Sequence, residues 1–211
     1  MLSYILSRLD LEQLRGSPAE VLAAIDEFSN TRDFMISIGG HKAGILSDLI
    51  AKEKPKTVVE LGGYLGYSAI LFADAMRRAH GSTEGLKIWS LEMSVEFAAI
   101  ARQLIELAGL ADIVTVVVGA AEQTLRSLHS EGKVKSVDLL FLDHAEELYS
   151  SDFQICVELG LLGKGAVIVA DNVVRPGAPD YRELVRGNPG LVSEGVKGLI
   201  QPGDFEVSSQ Y

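Results

Sequence analysis

The chain has 211 residues, of which 47% are hydrophobic and 23% are charged. These proportions are typical of a globular protein and exclude collagen-like, coiled-coil and disordered chains. Nineteen Lys and Arg residues stand against 29 Asp and Glu residues, which gives a formal net charge of −10. We expect no nucleic-acid partner, because an acidic chain repels phosphate backbones unless a basic patch compensates. The lysines at 52, 54 and 56 make no such patch, since Glu53 and Pro55 separate them.

The cysteine count and the apolar segments bear on the compartment. Cys156 is the only cysteine, so it can form no disulfide within the chain, and a thiolate zinc site needs more ligands. No segment approaches the roughly 20 apolar residues that cross a membrane. Arg8 and Asp10 come too early for a secretory signal. We therefore expect a cytoplasmic protein with no membrane partner; the sequence does not set its oligomeric state.

Residues 1–55 have a helical pattern. Ser17 precedes Pro18 as a capping residue precedes the first position of a helix. Apolar residues then recur at helical spacing between residues 21 and 28, and again between residues 45 and 50. We predict a second helix over roughly residues 42–52. These helices form an N-terminal extension that belongs to the same domain as the rest of the chain.

From about Lys56, short apolar segments rich in Val, Ile and Leu alternate with longer amphipathic ones. The predicted strands are 57–61, 87–91, 113–118, 137–142 and 166–170, and the predicted helices between them are 68–80, 95–108, 121–132 and 150–162. Strands that alternate with helices predict a parallel sheet covered on both faces. Leu184-Val185 and Phe205–Val207 could add an antiparallel edge hairpin. We predict one doubly wound α/β domain over residues 1–211.

A glycine-rich turn follows the first predicted strand. The segment Glu60–Gly66 contains three glycines directly before a predicted helix. Glycine permits a tight turn and a close approach of the backbone to a ligand, although such turns also occur for packing alone. The spacing is not the G-x-G-x-x-G of dinucleotide sites, and no P-loop lysine follows.

An acidic residue, Glu92, ends the second predicted strand. A carboxylate at this place can accept hydrogen bonds from both hydroxyls of a ribose; alone, it would be interpreted as a solvated side chain. Together with the glycine-rich turn it indicates nucleoside recognition, as in sites for NAD and for S-adenosylmethionine. The E-x-G-x-x-x-G pattern from Glu60 favours S-adenosylmethionine.

Polar pairs end the fourth and fifth predicted strands. They are Asp143-His144 and Asp171-Asn172. Two carboxylates and an amide oxygen from adjacent strand ends suit a hard cation such as Mg²⁺. The alternative is that these side chains cap neighbouring helices. We favour the cation, because polar residues at buried strand ends are costly without a partner. His144 by itself is expected to pack or to form a hydrogen bond.

Four segments resemble the catechol O-methyltransferase family. They are Val59–Ala69, Val118–Ala120, Phe141–His144 and Ala170–Pro179. The similarity runs from roughly Met35 to Gly187, and Ala-Asp-Asn-Val followed by Pro-Gly-Ala-Pro-Asp is specific to that family. The resemblance implies a Rossmann-like S-adenosylmethionine methyltransferase sheet, with S-adenosylmethionine and Mg²⁺ as cofactors. It also implies a small catechol-like substrate, because a cation that binds two adjacent hydroxyls both orients and ionises them.

The resemblance also implies the site residues. The positions that match the family's S-adenosylmethionine site are Ile38, Glu60, Gly62, Tyr64, Ser68, Glu92, Met93, Gly119, Ala120, Ala121, Glu122, Asp143 and His144. Ala121 and Glu122 depart from the Ser and Gln of the mammalian enzyme. The positions that match the family's three Mg²⁺ ligands are Asp143, Asp171 and Asn172.

Two catalytic positions depart from the family pattern. The family has a lysine base three residues after the first metal-binding aspartate, and this chain has Glu146 there. Lys42 is the other cationic candidate, and a surface or structural role is the alternative for it. The family also uses a glutamate near the C-terminus to bind the second catechol hydroxyl, and the nearest match in this chain is Gln201.

Two functional hypotheses follow. The first is an O-methyltransferase that acts on a catechol-like molecule bound to Mg²⁺, with transfer weakened or altered by Glu146. The second is a protein that binds S-adenosylmethionine without efficient transfer, or that uses a different acceptor. An NAD-dependent oxidoreductase is disfavoured by the glycine spacing.

Overall fold

The computed structural model describes residues 1–196 and 205–210, with the backbone alone at His41. Within these residues the chain forms seven strands. They are β1 Thr57–Leu61, β2 Lys87–Glu92, β3 Val114–Val118, β4 Val137–Leu142, β5 Leu162–Ala170, β6 Leu191–Val196 and β7 Phe205–Gln210. The five predicted strands are all present. They are recognisable in the sequence because strands covered on both faces are almost continuously apolar.

The strands form one sheet in the order β3-β2-β1-β4-β5-β7-β6. β1 pairs in parallel with β4, and β4 with β5, whereas β7 pairs antiparallel with both β5 and β6. From β1 the chain builds the sheet first towards β3 and then in the opposite direction from β4. The strand order therefore reverses between β1 and β4, the place where open α/β sheets bind ligands.

Nine α-helices are present in the described residues. They are α1 Leu2–Leu6, α2 Leu11–Leu14, α3 Pro18–Thr31, α4 Gly39–Glu53, α5 Tyr67–His80, α6 Val95–Leu107, α7 Ala121–Ser130, α8 Tyr149–Glu158 and α9 Pro179–Gly187. The predicted α/β fold, with helices around the sheet and a helical N-terminal part, is confirmed. None of the described helices is long and apolar enough to cross a membrane.

Three local predictions need correction. The side chain of Ser17 makes no capping hydrogen bond, although Pro18 does begin α3. Leu184 and Val185 lie in α9 rather than in a strand, and the strand that pairs with β7 is β6. β5 begins at Leu162, four residues before the predicted start. Two adjacent apolar residues fit a helix as well as a strand, which explains the error at Leu184.

The chain divides into two compact units. The first contains Met1–Lys56, Gly63–Ser90 and Ser94–Val116, and the second contains Thr57–Gly62, Leu91–Met93 and Val117–Tyr211. In the first unit, the hydroxyl of Tyr67 on α5 donates to Asp26 Oδ2 on α3 at 3.1 Å. Burial raises the pKa of both groups. The single domain over residues 1–211 stays a prediction.

In the second unit, the core lies on the parallel strands. The side chains from Leu140 to Leu142 on β4 and from Ile168 to Ala170 on β5 have no exposed surface. Burying this much aliphatic surface stabilises the strands at about 25 cal/mol per Å² of apolar area removed from water. The register of these strands fixes where the residues that follow them lie.

Candidate active site

Three residues stand side by side where the central strands end. Leu61 on β1 pairs with Leu142 on β4, which pairs with Ala170 on β5. The next residues are therefore neighbours across the sheet, at the spacing of about 4.8 Å between adjacent strands. The backbone bonds continue into them, because Asp143 N–H donates to Leu61 O and Asp171 N–H donates to Leu142 O, both at 2.9 Å. We call Gly62, Asp143 and Asp171 the strand-end row.

Gly62 closes one end of the strand-end row by packing against protein backbone. Its φ is +94°, and a Cβ atom there would lie 2.3 Å from the carbonyl oxygen of Asp143. Any side chain at this position would therefore displace the Asp143 backbone. This close contact gives Gly62 a packing role, and its predicted contact with a cofactor stays a prediction.

The side-chain amide of Asn172 lies next to the carboxylate of Asp171. Its φ of +57° lies in the left-handed region, which asparagine tolerates better than most residues. Its backbone N–H donates to Asp171 Oδ1 at 2.7 Å. The amide atom that faces Asp171 lies 3.0 Å and 3.1 Å from the two carboxylate oxygens; if it is nitrogen, it donates to both.

These side chains fit a hard divalent cation. If the amide presents its oxygen instead, the separation of 3.0 Å equals the distance between adjacent oxygens bound to one Mg²⁺ at about 2.1 Å in an octahedron. Oxygen ligands from Asp143, Asp171 and Asn172 are also the type that Mg²⁺ prefers. No group of three or more His, Cys, Asp or Glu side chains able to hold a metal was found among the described residues. The three predicted ligands include only two such side chains, Asp143 and Asp171, so they do not form a group of that kind.

Glu92, Met93 and Gly119 meet at the ends of β2 and β3. The N–H of Gly119 donates to the carbonyl of Glu92 at 3.0 Å. Glu92 is half-buried, and 77% of the Met93 side chain is exposed. A Cβ atom on Gly119 would lie 2.7 Å from Thr124 Oγ1, so α7 packs closely on this turn. The arrangement leaves an exposed thioether next to a strand-end carboxylate.

The predicted cofactor positions continue into α7. Ala120 precedes the helix in an extended conformation, and Ala121 is its first residue. Glu122 follows with an exposed carboxylate that accepts a hydrogen bond from Arg126 Nε at 3.2 Å, one turn later. An exposed pair at this spacing contributes little to stability, because solvent screens the two charges. The carboxylate of Glu122 thus faces the solvent-exposed side of the helix.

Half-buried His144 and buried Tyr149 and Asp152 pack together after Asp143. The Nε2 atom of His144 lies 2.8 Å from Oδ2 of Asp152 on α8, and the rings of His144 and Tyr149 are 5.1 Å apart. Tyr149 is fully buried, and its hydroxyl has no hydrogen-bond partner. Burial raises the pKa of Tyr149, and the charges of Asp143, Glu146 and Asp171 raise it further.

Glu146 begins the short 3₁₀ turn Glu146–Leu148 between β4 and α8. The turn is closed by the N–H of Leu148, which donates to Ala145 O at 2.9 Å. The carboxylate of Glu146 is half-buried. Its negative charge, like those of Asp143 and Asp171, raises the pKa of the buried Tyr149 hydroxyl, after the larger effect of burial. Glu60 is also in this unit; it is fully buried on β1, two residues before Gly62.

The other predicted site residues lie in the first unit, with one exception. Ile38 is buried at the start of α4, and Lys42 is half-buried in its first turn. The ring of Tyr64 packs edge-on against Phe97 at 4.8 Å, and Ser68 is buried in the first turn of α5. Gln201 lies outside the described residues.

The sequence did not predict that Asp152 and Tyr181 are buried against the side chains that follow Asp143. Asp152 lies in a predicted helix, and Tyr181 lies where no element is predicted. No local pattern distinguishes either residue from an exposed one. Tyr181 packs edge-on against Tyr149, with ring centroids 5.8 Å apart. The one available signal was the spacing of Asp152 from the start of its helix, which puts it in the first turn of α8.

Known proteins match this chain over most of its length. The O-methyltransferase family model matches residues 18–181. Catechol O-methyltransferase of Bos taurus is 38% identical over 184 residues, which are 87% of this chain and 65% of the bovine protein. Catechol O-methyltransferase of Mus musculus is 36% identical over 173 residues, 82% of this chain and 63% of the mouse protein. The matches therefore span less than two thirds of either relative.

A solved structure supports the fold. The O-methyltransferase from Bacillus cereus in complex with SAH superposes with a TM-score of 0.75 at 23% identity, over 100% of both chains. At this identity the superposition supports the fold and not the ligand. The sequence matches carry the family assignment, and the predicted resemblance is confirmed. The chain belongs to the O-methyltransferase family.

Proposed function

We propose that the protein transfers the methyl group of S-adenosylmethionine to a hydroxyl of a small catechol-like molecule held on Mg²⁺. The observation that carries the proposal is the strand-end row together with Asn172. Asp143 and Asp171 are neighbours across parallel strands, and the amide of Asn172 lies 3.0 Å from a carboxylate oxygen of Asp171. Family membership and the names of the bovine and mouse relatives support the same reaction.

The cofactor, the cation and the side chains that hold the cation would each have a separate task. When bound, S-adenosylmethionine supplies a methyl group on a cationic sulfur, and Mg²⁺ lowers the pKa of the hydroxyl that it binds. Asp143, Asp171 and Asn172 would hold the cation with oxygen ligands. They would thereby orient two adjacent hydroxyls, and alignment of the reacting atoms is a large part of catalysis in a displacement reaction.

The cofactor would lie along the ends of β1, β2 and β3. Five positions match those that the family uses at the amino-acid end of the cofactor: Ile38, Glu60, Gly62, Tyr64 and Ser68. Glu92 would accept the ribose hydroxyls, and the exposed Met93 would pack on the base. The segment Gly119–Glu122 and His144 would surround the adenine ring. Asp143 would adjoin both the cofactor and the cation.

A base must accept the proton that the acceptor hydroxyl loses. Glu146 occupies the position of the family lysine and can accept a proton, although its own charge opposes ionisation of a nearby hydroxyl. Lys42 is the candidate cation that would favour ionisation. Gln201 would bind the second hydroxyl through its amide, less strongly than a carboxylate would. Removal of a general base costs about 10²–10⁴ in rate, so we expect slower turnover than with lysine.

The test is transfer of labelled methyl from S-adenosylmethionine to catechol, with millimolar Mg²⁺ and with EDTA. We expect methylated catechol only with Mg²⁺, and the Asp171→Asn variant should lose most of it. Asp112→Asn is the matched control, because Asp112 is exposed on the loop before β3. Catechol turnover that persists in EDTA would overturn the metal assignment. No turnover by a folded protein that binds S-adenosylmethionine would overturn the substrate.

The second candidate function is binding of S-adenosylmethionine without efficient transfer. The observation in its favour is Glu146, a carboxylate where the family has lysine. The variant Glu146→Lys distinguishes the two. A large rise in catechol methylation would indicate a transfer site that has lost its base, and no rise would indicate a site adapted to another acceptor.

We further propose that the protein works as one domain in a reducing, cytoplasmic compartment without nucleic-acid or membrane partners. The support for the compartment is Cys156, which is buried and free. Thiols stay reduced in that compartment. The net charge of −10 supports the absence of a nucleic-acid partner.

A further inference from the structure

A side-chain hydrogen bond ties the first residue of α5 to α3. Tyr67 is 6% exposed, and its hydroxyl donates to Asp26 Oδ2 at 3.1 Å. The carboxylate of Asp26 is half-buried where α3 packs on α5. Loss of either group would leave the other partly buried without this partner, which is unfavourable. The bond therefore holds this end of α5 in a defined position against α3.

The turn that leads into α5 packs on another helix, α6. Gly66 precedes α5 with a φ of +88°, and a Cβ atom there would lie 3.2 Å from the Cβ of Ala101 on α6. The ring of Tyr64, also in the turn, packs edge-on against Phe97 of α6 with centroids 4.8 Å apart. The helix α6 thus supports the turn itself, whereas α3 holds the residue that follows the turn.

The first turn of α5 presents backbone N–H groups towards its N-terminal end. The first N–H groups of a helix have no partner within the helix, and glycine at the cap position supplies no side-chain oxygen to accept from them. Ser68 follows Tyr67 directly and is buried in the same turn. Such donors suit the carboxylate at the amino-acid end of S-adenosylmethionine. The place where Tyr67 is held therefore sets the place of these donors.

We propose that Asp26 and the hydroxyl of Tyr67 are positioning groups for the cofactor, which hold the first turn of α5 where it binds S-adenosylmethionine. This inference rests on the proposed function, because it assumes that Ser68 and its turn contact the cofactor. Both groups would act through the turn and not by contact with the cofactor. Hydrogen bonds weaken steeply as their distance and angle change, so a helix end that can shift binds less tightly. The bond between Tyr67 and Asp26 thus supports cofactor affinity as well as stability.

The experiment is calorimetric titration of S-adenosylmethionine into the full chain. Tyr67→Phe removes only the hydroxyl, and we expect the Kd to rise about tenfold, as loss of a supporting hydrogen bond does at metal sites. Tyr4→Phe is the matched control, because the Tyr4 hydroxyl donates to Glu27, the next residue of α3. It removes the same kind of bond between α3 and α1, and the Kd should stay within about twofold of the wild type. Thermal unfolding checks that each variant is folded.

The role of Asp26 is tested by variants that keep or remove the acceptor. Asp26→Asn keeps an oxygen that can accept from Tyr67, so its Kd should stay within about threefold of the wild type. Asp26→Leu should show the same loss as Tyr67→Phe. The double variant should bind no more weakly than either of these single variants, because all three lack one and the same bond. Additive losses would overturn the inference.

The outcomes separate this inference from the proposed function. If the wild type binds S-adenosylmethionine and Tyr67→Phe binds it equally well, the positioning role is overturned and the proposed function stands. If the folded wild type does not bind S-adenosylmethionine, both are overturned. Equal losses in Tyr67→Phe and Tyr4→Phe would show a general effect of how α3 is held, and they would overturn the assignment to Tyr67.

Discussion

The imidazole Nε2 of His144 lies 2.8 Å from Oδ2 of Asp152, and the aspartate is buried on α8. An ionised carboxylate only accepts hydrogen bonds, so Nε2 is inferred to carry the proton. The other ring nitrogen, Nδ1, is buried without a hydrogen-bond partner. The bond therefore ties the residue after Asp143 to the first turn of α8, and it fixes which nitrogen carries the proton.

Replacement of Asp152 should destabilise the protein according to whether the acceptor is kept. Asp152→Leu leaves the imidazole N–H of His144 buried without an acceptor, and we expect the free energy of unfolding to fall by about 1–3 kcal/mol. Asp152→Asn keeps an acceptor oxygen and should cost less. Urea unfolding of both variants measures the difference. Equal stability of Asp152→Leu and the wild type would contradict the assigned bond.

The pair Arg186–Glu206 should contribute to stability through burial of its carboxylate. Arg186 donates from Nε to Oε1 at 2.6 Å and from Nη2 to Oε2 at 2.8 Å, and Glu206 on β7 has no exposed surface. Among the described residues, Arg186→Met leaves this carboxylate paired with Arg182 alone, whose Nε is 3.8 Å away. We expect a loss of about 2–3 kcal/mol, the lower part of the usual range because Arg186 is itself partly exposed.

A double-variant cycle tests the origin of that loss. Glu206→Gln in the Arg186→Met background removes the buried charge, and it should restore most of the free energy of unfolding. Chemical denaturation of the wild type, both single variants and the double variant supplies the four values. If the double variant is no more stable than Arg186→Met, the unpaired charge is not the cause of the loss.

Gly62→Ala should be far more damaging than Gly81→Ala. Both glycines have positive φ, at +94° and +67°, but a Cβ on Gly62 would meet the Asp143 carbonyl oxygen at 2.3 Å, whereas a Cβ on Gly81 meets nothing within 4 Å. We expect about 1–2 kcal/mol for Gly81→Ala from backbone strain alone. For Gly62→Ala we expect about 3 kcal/mol or more. Similar melting temperatures for the two variants would refute the close contact.

The thiol of Cys156 should be unreactive in the folded protein. Burial raises its pKa to about 12, with a smaller contribution from the charge of Asp152. At pH 8 the thiol stays protonated, and the thiolate is the form that reacts. We expect no reaction with a thiol reagent such as dithionitrobenzoate until the protein is unfolded in urea. Fast labelling of the native protein would contradict this.

The same pKa shift predicts a loss of stability at alkaline pH. Below pH about 8.5 the thiol is protonated in both the folded and the unfolded chain, so Cys156 has no effect on the pH dependence. Above that value only the unfolded chain loses the proton, and the free energy of unfolding falls until pH about 12, where the folded thiol also ionises. Cys156→Ala should show a shallower decline between pH 9 and 11. Identical slopes for the two proteins would exclude this contribution.

Much of the fold follows from local pattern. β1 occupies the predicted residues 57–61 and β4 the predicted residues 137–142, because a buried parallel strand is a continuous apolar segment with clear ends. The edge of the sheet was harder to predict. Leu184-Val185 is too short to distinguish a strand from a helix, and Pro179 at the start of α9 was the better signal.

The sequence alone determined which residues stand at the ends of strands, among them Asp143 and Asp171, because apolar segments and their polar ends are local features. Only the tertiary structure decided that these two residues are neighbours. Their adjacency depends on the order β1-β4-β5 and on the register of Leu142 with Ala170. The burial of Tyr149 and the pairing of His144 with Asp152 arise in the same way, from helix packing between residues that no local pattern connects.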